Sequence, residues 1–127
     1  MSDISDSYIS PATLEQIRGV VVEWSRTWGE VSPSNIRVVS TNRDDAAELL
    51  RPGVRSEPAP CYLVFLEGCF RIAWTLKLPD TTKAWAALHI DPRFMSATSY
   101  TVRPLDDVPV RQMSDLGTVY ALDCMAA

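Results

Sequence analysis

The side chains with the most chemical potential in this sequence are a thiol, a guanidinium, an imidazole and a carboxylate. Alternation along two antiparallel strands would bring Cys69, Arg71, His89 and Asp91 to one sheet face. In such a nucleophilic cluster, His89 would activate the Cys69 thiol and Asp91 would orient His89. A reactive thiolate needs a cleft, however, and no known catalytic motif surrounds these residues. The sequence therefore favours a protein without catalytic residues, and leaves the enzyme as the less favoured alternative.

The register behind this cluster comes from the segment CYLVFLEGCFRIAW (61–74), interpreted as a β-hairpin with a two-residue turn at Glu67–Gly68. A further pairing with AWAALHID (84–91) places Arg71 opposite His89. The alternation predicts a core face and puts the two cysteines on opposite faces, so they cannot form a disulfide. The predicted core face holds Cys61, Leu63, Phe65, Phe70, Ile72 and Trp74. Cys61 is accordingly interpreted as a small buried apolar residue.

The opposite face of the predicted sheet carries more apolar and aromatic area than a solvated face usually shows. One interpretation is a contact surface, whose predicted binding residues are Tyr62, Arg71, Trp85 and His89. In the alternative interpretation, the second helix or the C-terminal segment covers this face within the same chain. Burial of Trp85 by residues 41–51 or 104–127 would favour the alternative.

The elements that would position these residues follow from periodicity and capping. The clearest helix spans 11–28, with Ser10 as N-cap and an apolar stripe at steps of three and four residues: Leu14, Ile17, Val21, Trp24 and Trp28. A short strand at 36–40 precedes a second helix, for which Thr41 and Asp44 resemble a capping box. Further strands are predicted at about 61–66, 69–76, 84–91 and 96–102, and apolar residues after Arg103 are expected to pack along an edge of the domain.

These elements predict an α+β fold, in which a long N-terminal helix packs on a mainly antiparallel sheet of four or five strands. Burial of the large apolar residues on both elements, Trp24, Trp28, Phe65, Phe70, Ile72 and Trp74, would supply the core. Residues 1–9 are predicted to be a flexible tail and residues 10–127 a single domain.

Composition excludes several classes of protein. The 127 residues carry 12 basic and 16 acidic side chains, a net charge of −4, and no basic stripe, which disfavours nucleic acid as a partner. The N-terminus lacks the features of a signal peptide, and no apolar run would cross a membrane. An odd number of cysteines fits a reducing compartment, so we expect a cytoplasmic protein. One histidine, no paired cysteine spacing and no glycine-rich phosphate loop predict neither a metal site nor a cofactor.

Three segments, APCYLVFLEGCF, AWAALHID and SDLGTV, resemble a pattern in small uncharacterised bacterial proteins, many of them actinobacterial. The resemblance spans about residues 36–120. It implies a compact α+β domain of cystatin-like or PepSY-like appearance, with a helix laid across an antiparallel sheet, and it implies no activity. The segment PRFMS after Asp91 departs from the pattern, because it lacks the glycine that usually makes that turn.

The function predicted from these observations is a non-enzymatic protein-binding module with an interaction, inhibitor or immunity-type role. Its partner would be another protein or a second copy of the chain, recognised through the outer sheet face or a sheet edge. The alternative is a small-ligand-binding protein or enzyme with a pocket between the long helix and a curved sheet. A cavity of roughly 300 Å³ or more, lined by aromatic residues and a few polar groups, would favour the alternative.

Overall fold

The fold is that of a computed structural model, which describes residues 8–71, 82–106 and 113–122. In chain order, its elements are helix α1 (Pro11–Thr27), strand β1 (Ser34–Asn42), helix α2 (Arg43–Leu50), strands β2 (Pro60–Gly68), β3 (Ala84–Asp91) and β4 (Ser96–Pro104), a 3₁₀ turn (Met113–Asp115) and strand β5 (Val119–Leu122). The five strands form one sheet in the order β4-β3-β2-β1-β5, and every neighbouring pair is antiparallel. The predicted α+β class is confirmed.

Both helices begin at side-chain caps. The Ser10 hydroxyl accepts a hydrogen bond from the Thr13 amide at 3.2 Å, and Pro11 occupies the first turn of α1, as predicted. In α2, the cap lies one residue later than predicted, because Asn42 rather than Thr41 accepts the Asp45 amide at 2.8 Å. An amide side chain is at least as good an N-cap as the threonine hydroxyl, which explains the shift.

The sheet is covered by a helix on each face. Residues Ile17 and Val21 of α1 pack in a buried cluster with one face of the sheet, here called the α1 face: Ile36, Val38, Val64, Leu66, Ala86, Leu88 and Ile90. The opposite face, the α2 face, packs with Ala46, Leu49, Leu50 and Met113, and its buried residues are Val39, Leu63, Phe65, Trp85 and Ala87. Alternate residues of β2 therefore enter two different apolar cores.

The predicted hairpin at Glu67–Gly68 is wrong. Strand β2 continues through Gly68 and pairs directly with β3, so that Leu66 lies opposite Ala86 and Gly68 opposite Ala84. The residues that follow, 69–71, are not in a strand; the remainder of the predicted strand, with Ile72 and Trp74, lies outside the described residues.

The reason for the error is the role of Gly68. A Cβ atom at this position would lie 2.8 Å from the Glu30 side chain, so the glycine allows a close approach rather than a turn. The chain beyond it is held at the end of α1 by two backbone donors. The Cys69 amide donates to Glu30 Oε1 at 2.8 Å, and the Arg71 amide donates to the Trp28 carbonyl at 2.7 Å.

The predicted core face is buried, but under the second helix. Cys61, Leu63 and Phe65 point to the α2 face, whereas Phe70 packs on the α1 side, with its ring 5.3 Å from that of Trp24. The helix stripe is confirmed, since Leu14, Trp24 and Trp28 pack against the same cluster as Ile17 and Val21.

The two ends of the described chain meet near the β5 edge. Ile9, which the sequence assigned to the flexible tail, is buried, and its amide donates to the Tyr120 hydroxyl at 3.1 Å. Strand β5 pairs with β1 at this edge of the described sheet, so the C-terminal segment packs along an edge as predicted.

Candidate functional site

The predicted nucleophilic cluster is not formed. Cys69 and Arg71 follow the end of β2 near Ala84, whereas His89 lies opposite Leu63 towards the other end of the same ladder. Five residues of extended strand separate these positions along the ladder, which is roughly 17 Å at about 3.3 Å per residue. A hydrogen bond between Cys69 and His89 is therefore excluded.

The four predicted binding residues also do not share a surface. Tyr62 lies on the α1 face, Trp85 and His89 lie on the α2 face, and Arg71 lies beyond the strand, beside Gly29. Trp85 is 3% exposed and stacks on Phe65 with ring centroids 5.2 Å apart. It packs with residues of α2 and with Met113, so the alternative in which the chain covers this face is the one observed.

The two described cysteines are free thiols with different surroundings. Burial raises the pKa of Cys61 to about 11, because the thiolate would lose its hydration in the core. This confirms Cys61 as a buried apolar residue. Cys69 is half-buried at the end of α1, and its described hydrogen bond comes from its backbone amide.

His89 lines a pocket of about 210 Å³ that lies between α2, the loop that follows α2, and strands β3 and β4. We call it the Arg43–His89 pocket. Its apolar lining residues are Ala47, Leu50 and Val54, and its polar lining consists of Arg43, Arg51, Arg55, Ser56, His89, Ser99 and Thr101. Residues from four segments of the chain thus converge on one depression.

Among the residues that the structure describes, no acidic side chain lines the Arg43–His89 pocket. It does contain the only histidine and three of the ten arginines of a protein whose net charge is −4. Because acids outnumber bases in the whole chain, this concentration of positive charge is a local feature that composition does not explain.

One of the three arginines is neutralised by an acid behind the pocket wall. The Arg55 guanidinium makes two hydrogen bonds to the Asp44 carboxylate, at 2.8 and 3.0 Å, and Asp44 also accepts the Ser56 amide at 3.0 Å. The hydrogen bond from Arg55 is the main reason that the pKa of Asp44 is lowered. This arrangement ties the loop to the first turn of α2 and shapes one wall of the pocket.

Arg43 and Arg51 remain as cations without an ion pair or side-chain hydrogen bond to any of the described residues. The Arg43 amide donates to the Ala59 carbonyl at 2.9 Å, so its backbone is held in place. Arg43 is also the first residue of α2, where the helix dipole favours acids over bases. An arginine at this position therefore carries a small cost in helix stability.

His89 presents a neutral imidazole to the Arg43–His89 pocket. Burial lowers the pKa of His89, and the positive charge of Arg43 lowers it further, while a hydrogen bond to the Ser99 backbone acts in the opposite direction. The Ser99 hydroxyl lies 3.1 Å from Nδ1. When this hydroxyl donates to Nδ1, the ring proton resides on Nε2 and His89 is a neutral hydrogen-bond donor.

A second pocket, of about 300 Å³, is also lined by Arg43. We call it the Glu57–Arg93 pocket; it is lined by Arg43, Glu57, Ala59, Pro60, Asp91, Pro92 and Arg93. Asp91 and Arg93 form a salt bridge at 3.0 Å, and the hydrogen bond from Arg93 lowers the pKa of Asp91. Both pockets lie beside α2, whereas the ligand pocket that the sequence predicted as an alternative would lie between the long helix and the sheet.

Of these pocket residues, His89 was predicted from the sequence, whereas Arg43, Ser99 and Thr101 were not. A signal for Arg43 was present, since a basic residue at the start of a helix rich in aspartate runs against the usual dipole preference. Ser99 and Thr101 lie opposite His89 and Ala87 on β4, and nothing in their local sequence distinguishes them from other strand residues.

Within residues 8–71, 82–106 and 113–122, no group of three or more histidine, cysteine or acidic side chains could hold a metal ion. In the same part of the chain, no helix has the length and apolarity needed to cross a membrane. Comparisons with protein-family models, curated proteins and solved structures found no match, so the resemblance to cystatin-like and PepSY-like domains stays a prediction.

Proposed function

We propose that this protein binds a small anionic ligand, carrying a carboxylate or phosphate group, in the Arg43–His89 pocket. The observation that supports this proposal is the acid-free lining, in which Arg43 and Arg51 have no ion-pair partner among the described residues. An unpaired guanidinium at a concave site offers a planar pair of donors that matches a carboxylate or a phosphate.

Each polar residue of the pocket has a role in this proposal. Arg43 supplies the charge-assisted hydrogen bonds, and the Thr101 hydroxyl and the His89 Nε2–H group supply neutral donors to further oxygens of the ligand. The Ser99 hydroxyl donates its proton to His89 Nδ1 and thereby keeps the His89 proton on Nε2. The volume of about 210 Å³ is below the 300–1,000 Å³ typical of pockets for drug-sized ligands, so the ligand that fits is small.

The site is proposed to bind without catalysis. The Cys61 thiol, near the same end of β2, is held protonated by its raised pKa and so offers no nucleophile at neutral pH. On the basis of the odd number of cysteines, we place the protein in the cytoplasm.

The test is the affinity of the purified protein for inorganic phosphate and for acetate, measured by calorimetry or by titration of backbone amide NMR shifts. We expect Arg43→Gln to weaken binding of the preferred anion by at least about tenfold, since a hydrogen bond to a charged group contributes about 1.5–3 kcal/mol. Arg26→Gln, on an exposed position in the last turn of α1, removes the same charge far from the pocket.

Equal affinities in the wild-type protein and Arg43→Gln would refute the proposal. An equal loss in Arg43→Gln and Arg26→Gln would also refute it, because the effect would then come from the net charge of the protein.

A second candidate function is protein recognition at β4, one of the two edge strands of the described sheet. Three exposed large apolar side chains lie in this strand or within two residues of its ends: Phe94 at 73%, Tyr100 at 42% and Leu105 at 43% exposure. Exposed apolar side chains that lie close together mark surfaces where another chain can bind. The partner we propose for this mode is a second copy of the chain.

Light scattering tests the second candidate. Self-association through β4 predicts a mass of twice 14.1 kDa for the wild-type protein and of 14.1 kDa for Phe94→Lys. A monomeric mass at all concentrations of the wild-type protein would contradict it.

A further inference from the structure

The Arg43–His89 pocket and the Glu57–Arg93 pocket share one lining residue, Arg43. Arg43 follows β1 directly, and its backbone amide donates a hydrogen bond to the carbonyl of Ala59. Ala59 itself lines the second pocket. Arg43 therefore borders two depressions, of about 210 and 300 Å³, and a ligand that binds at Arg43 has both of them as neighbours.

The charges of the two pockets differ. In the Glu57–Arg93 pocket, the carboxylate of Asp91 is neutralised by Arg93 at 3.0 Å, and the Asp91 side chain is only 12% exposed. Glu57 is exposed and has no hydrogen bond or ion pair to any of the described residues. A ligand that crosses from the first pocket to the second thus meets an unneutralised carboxylate after a cluster of cations.

Three of the seven residues that line the Glu57–Arg93 pocket are apolar. Ala59, Pro60 and Pro92 line the second pocket beside Glu57 and present apolar surface. Such a wall suits methylene groups, whereas a second anionic group in the ligand would be repelled by Glu57.

We propose that the ligand is an amino-substituted anion, whose carboxylate or phosphate binds beside Arg43 and whose ammonium group binds beside Glu57. This inference rests on the proposed function, because it requires an anion in the Arg43–His89 pocket. The ammonium group would donate to the Glu57 carboxylate, and the carbon chain between the two charged groups would lie on Ala59, Pro60 and Pro92.

The test compares 2-aminoethyl, 3-aminopropyl and 4-aminobutyl phosphate with the ethyl, propyl and butyl phosphates that lack the amine. Calorimetry at low ionic strength gives the affinity of the wild-type protein for each compound. We expect the amine to raise the affinity by about fivefold at one or more chain lengths, the upper end for an exposed ion pair. A parallel comparison of 4-aminobutanoate with butanoate distinguishes a carboxylate from a phosphate as the anionic group.

Two variants locate the effect. In Glu57→Gln, we expect the ratio of affinities between amino and amine-free compounds to fall to about one. The control Glu23→Gln removes one negative charge from an exposed position of α1 and is expected to leave the ratio at its wild-type value.

The inference is overturned if the wild-type protein binds both series equally at all chain lengths. It is also overturned if Glu57→Gln strengthens binding of both series by the same factor, since Glu57 would then act only by repelling anions. Binding of inorganic phosphate that depends on Arg43 separates these outcomes from a failure of the proposed function, in which no phosphate or carboxylate binds at all.

Discussion

Leu63 and Leu66 lie on opposite faces of β2, and we expect alanine at either position to destabilise the protein by a similar, large amount. Both side chains are fully buried. Leu63 packs with the α2 residues on one face, and Leu66 packs with the α1 residues on the other. A sheet covered by a helix on only one face would make one of these two substitutions nearly neutral.

The magnitude follows from the cost of a cavity in a packed core. Replacement of a buried leucine by alanine lowers the free energy of unfolding by about 2.7–5 kcal/mol. An unfolding entropy of about 2.1 cal/mol/K per residue, over 127 residues, converts each kcal/mol into a fall of about 4 °C in Tm. We therefore expect Tm to fall by roughly 10–19 °C in each variant.

Thermal unfolding followed by circular dichroism, with urea unfolding as a second measure, tests this expectation. The control is Val31→Ala, at a position that is 73% exposed, where the change should stay within about 0.5 kcal/mol. A loss below about 1 kcal/mol in either leucine variant would show that the corresponding face is not covered as described.

Two further predictions concern glycine positions and pH. Gly19→Ala should stabilise α1 by about 0.5–1 kcal/mol, because an added Cβ meets no atom within 4 Å. Gly68→Ala should destabilise the protein by about 1–2 kcal/mol, because the added Cβ displaces the Glu30 carboxylate that accepts a hydrogen bond from the Cys69 amide. Urea unfolding of the two variants tests whether the two effects have opposite signs. Because the pKa of His89 is lowered in the folded protein, His89 is protonated to a greater extent in the unfolded chain than in the folded protein below about pH 6.5. Stability contributed by neutral His89 is thus present above the unfolded pKa and declines as the pH falls, by at most about 1.4 kcal/mol per pH unit. Urea unfolding at pH 7.5 and 5.5 should show a smaller decline in His89→Asn, and equal declines would contradict the burial of the imidazole.

The local elements could be predicted from sequence because local interactions specify them. Helix α1 has a hydroxyl cap, a proline in its first turn and a stripe of apolar residues, and all three signals lie within the segment itself. Strands β3 and β4 likewise have apolar and β-branched residues within their own bounds. The boundaries of these elements therefore agree with prediction to within a few residues.

The pairing of β2 could not be predicted from the same signals. The Glu67–Gly68 dipeptide is compatible with a turn and with close packing, and only the position of Glu30, 37 residues earlier, decides between them. The run CYLVFL at the start of β2 also contains no polar residue, so alternation alone does not say which face is buried. Such a run is typical of a strand covered on both faces.

The sequence by itself determined the α+β class, the position of the main helix, the burial of Cys61 and the choice of His89 as a residue of interest. Only the tertiary structure decided that α1 covers the face of Val64 and Leu66, that α2 covers Trp85, and that Arg43 joins His89 at one pocket. The physical reason is the distance in sequence between the residues that interact. Caps and apolar periodicity act between neighbours in sequence, whereas the pocket requires residues 43–56 to meet residues 89–101, and that meeting depends on the packing of the whole sheet.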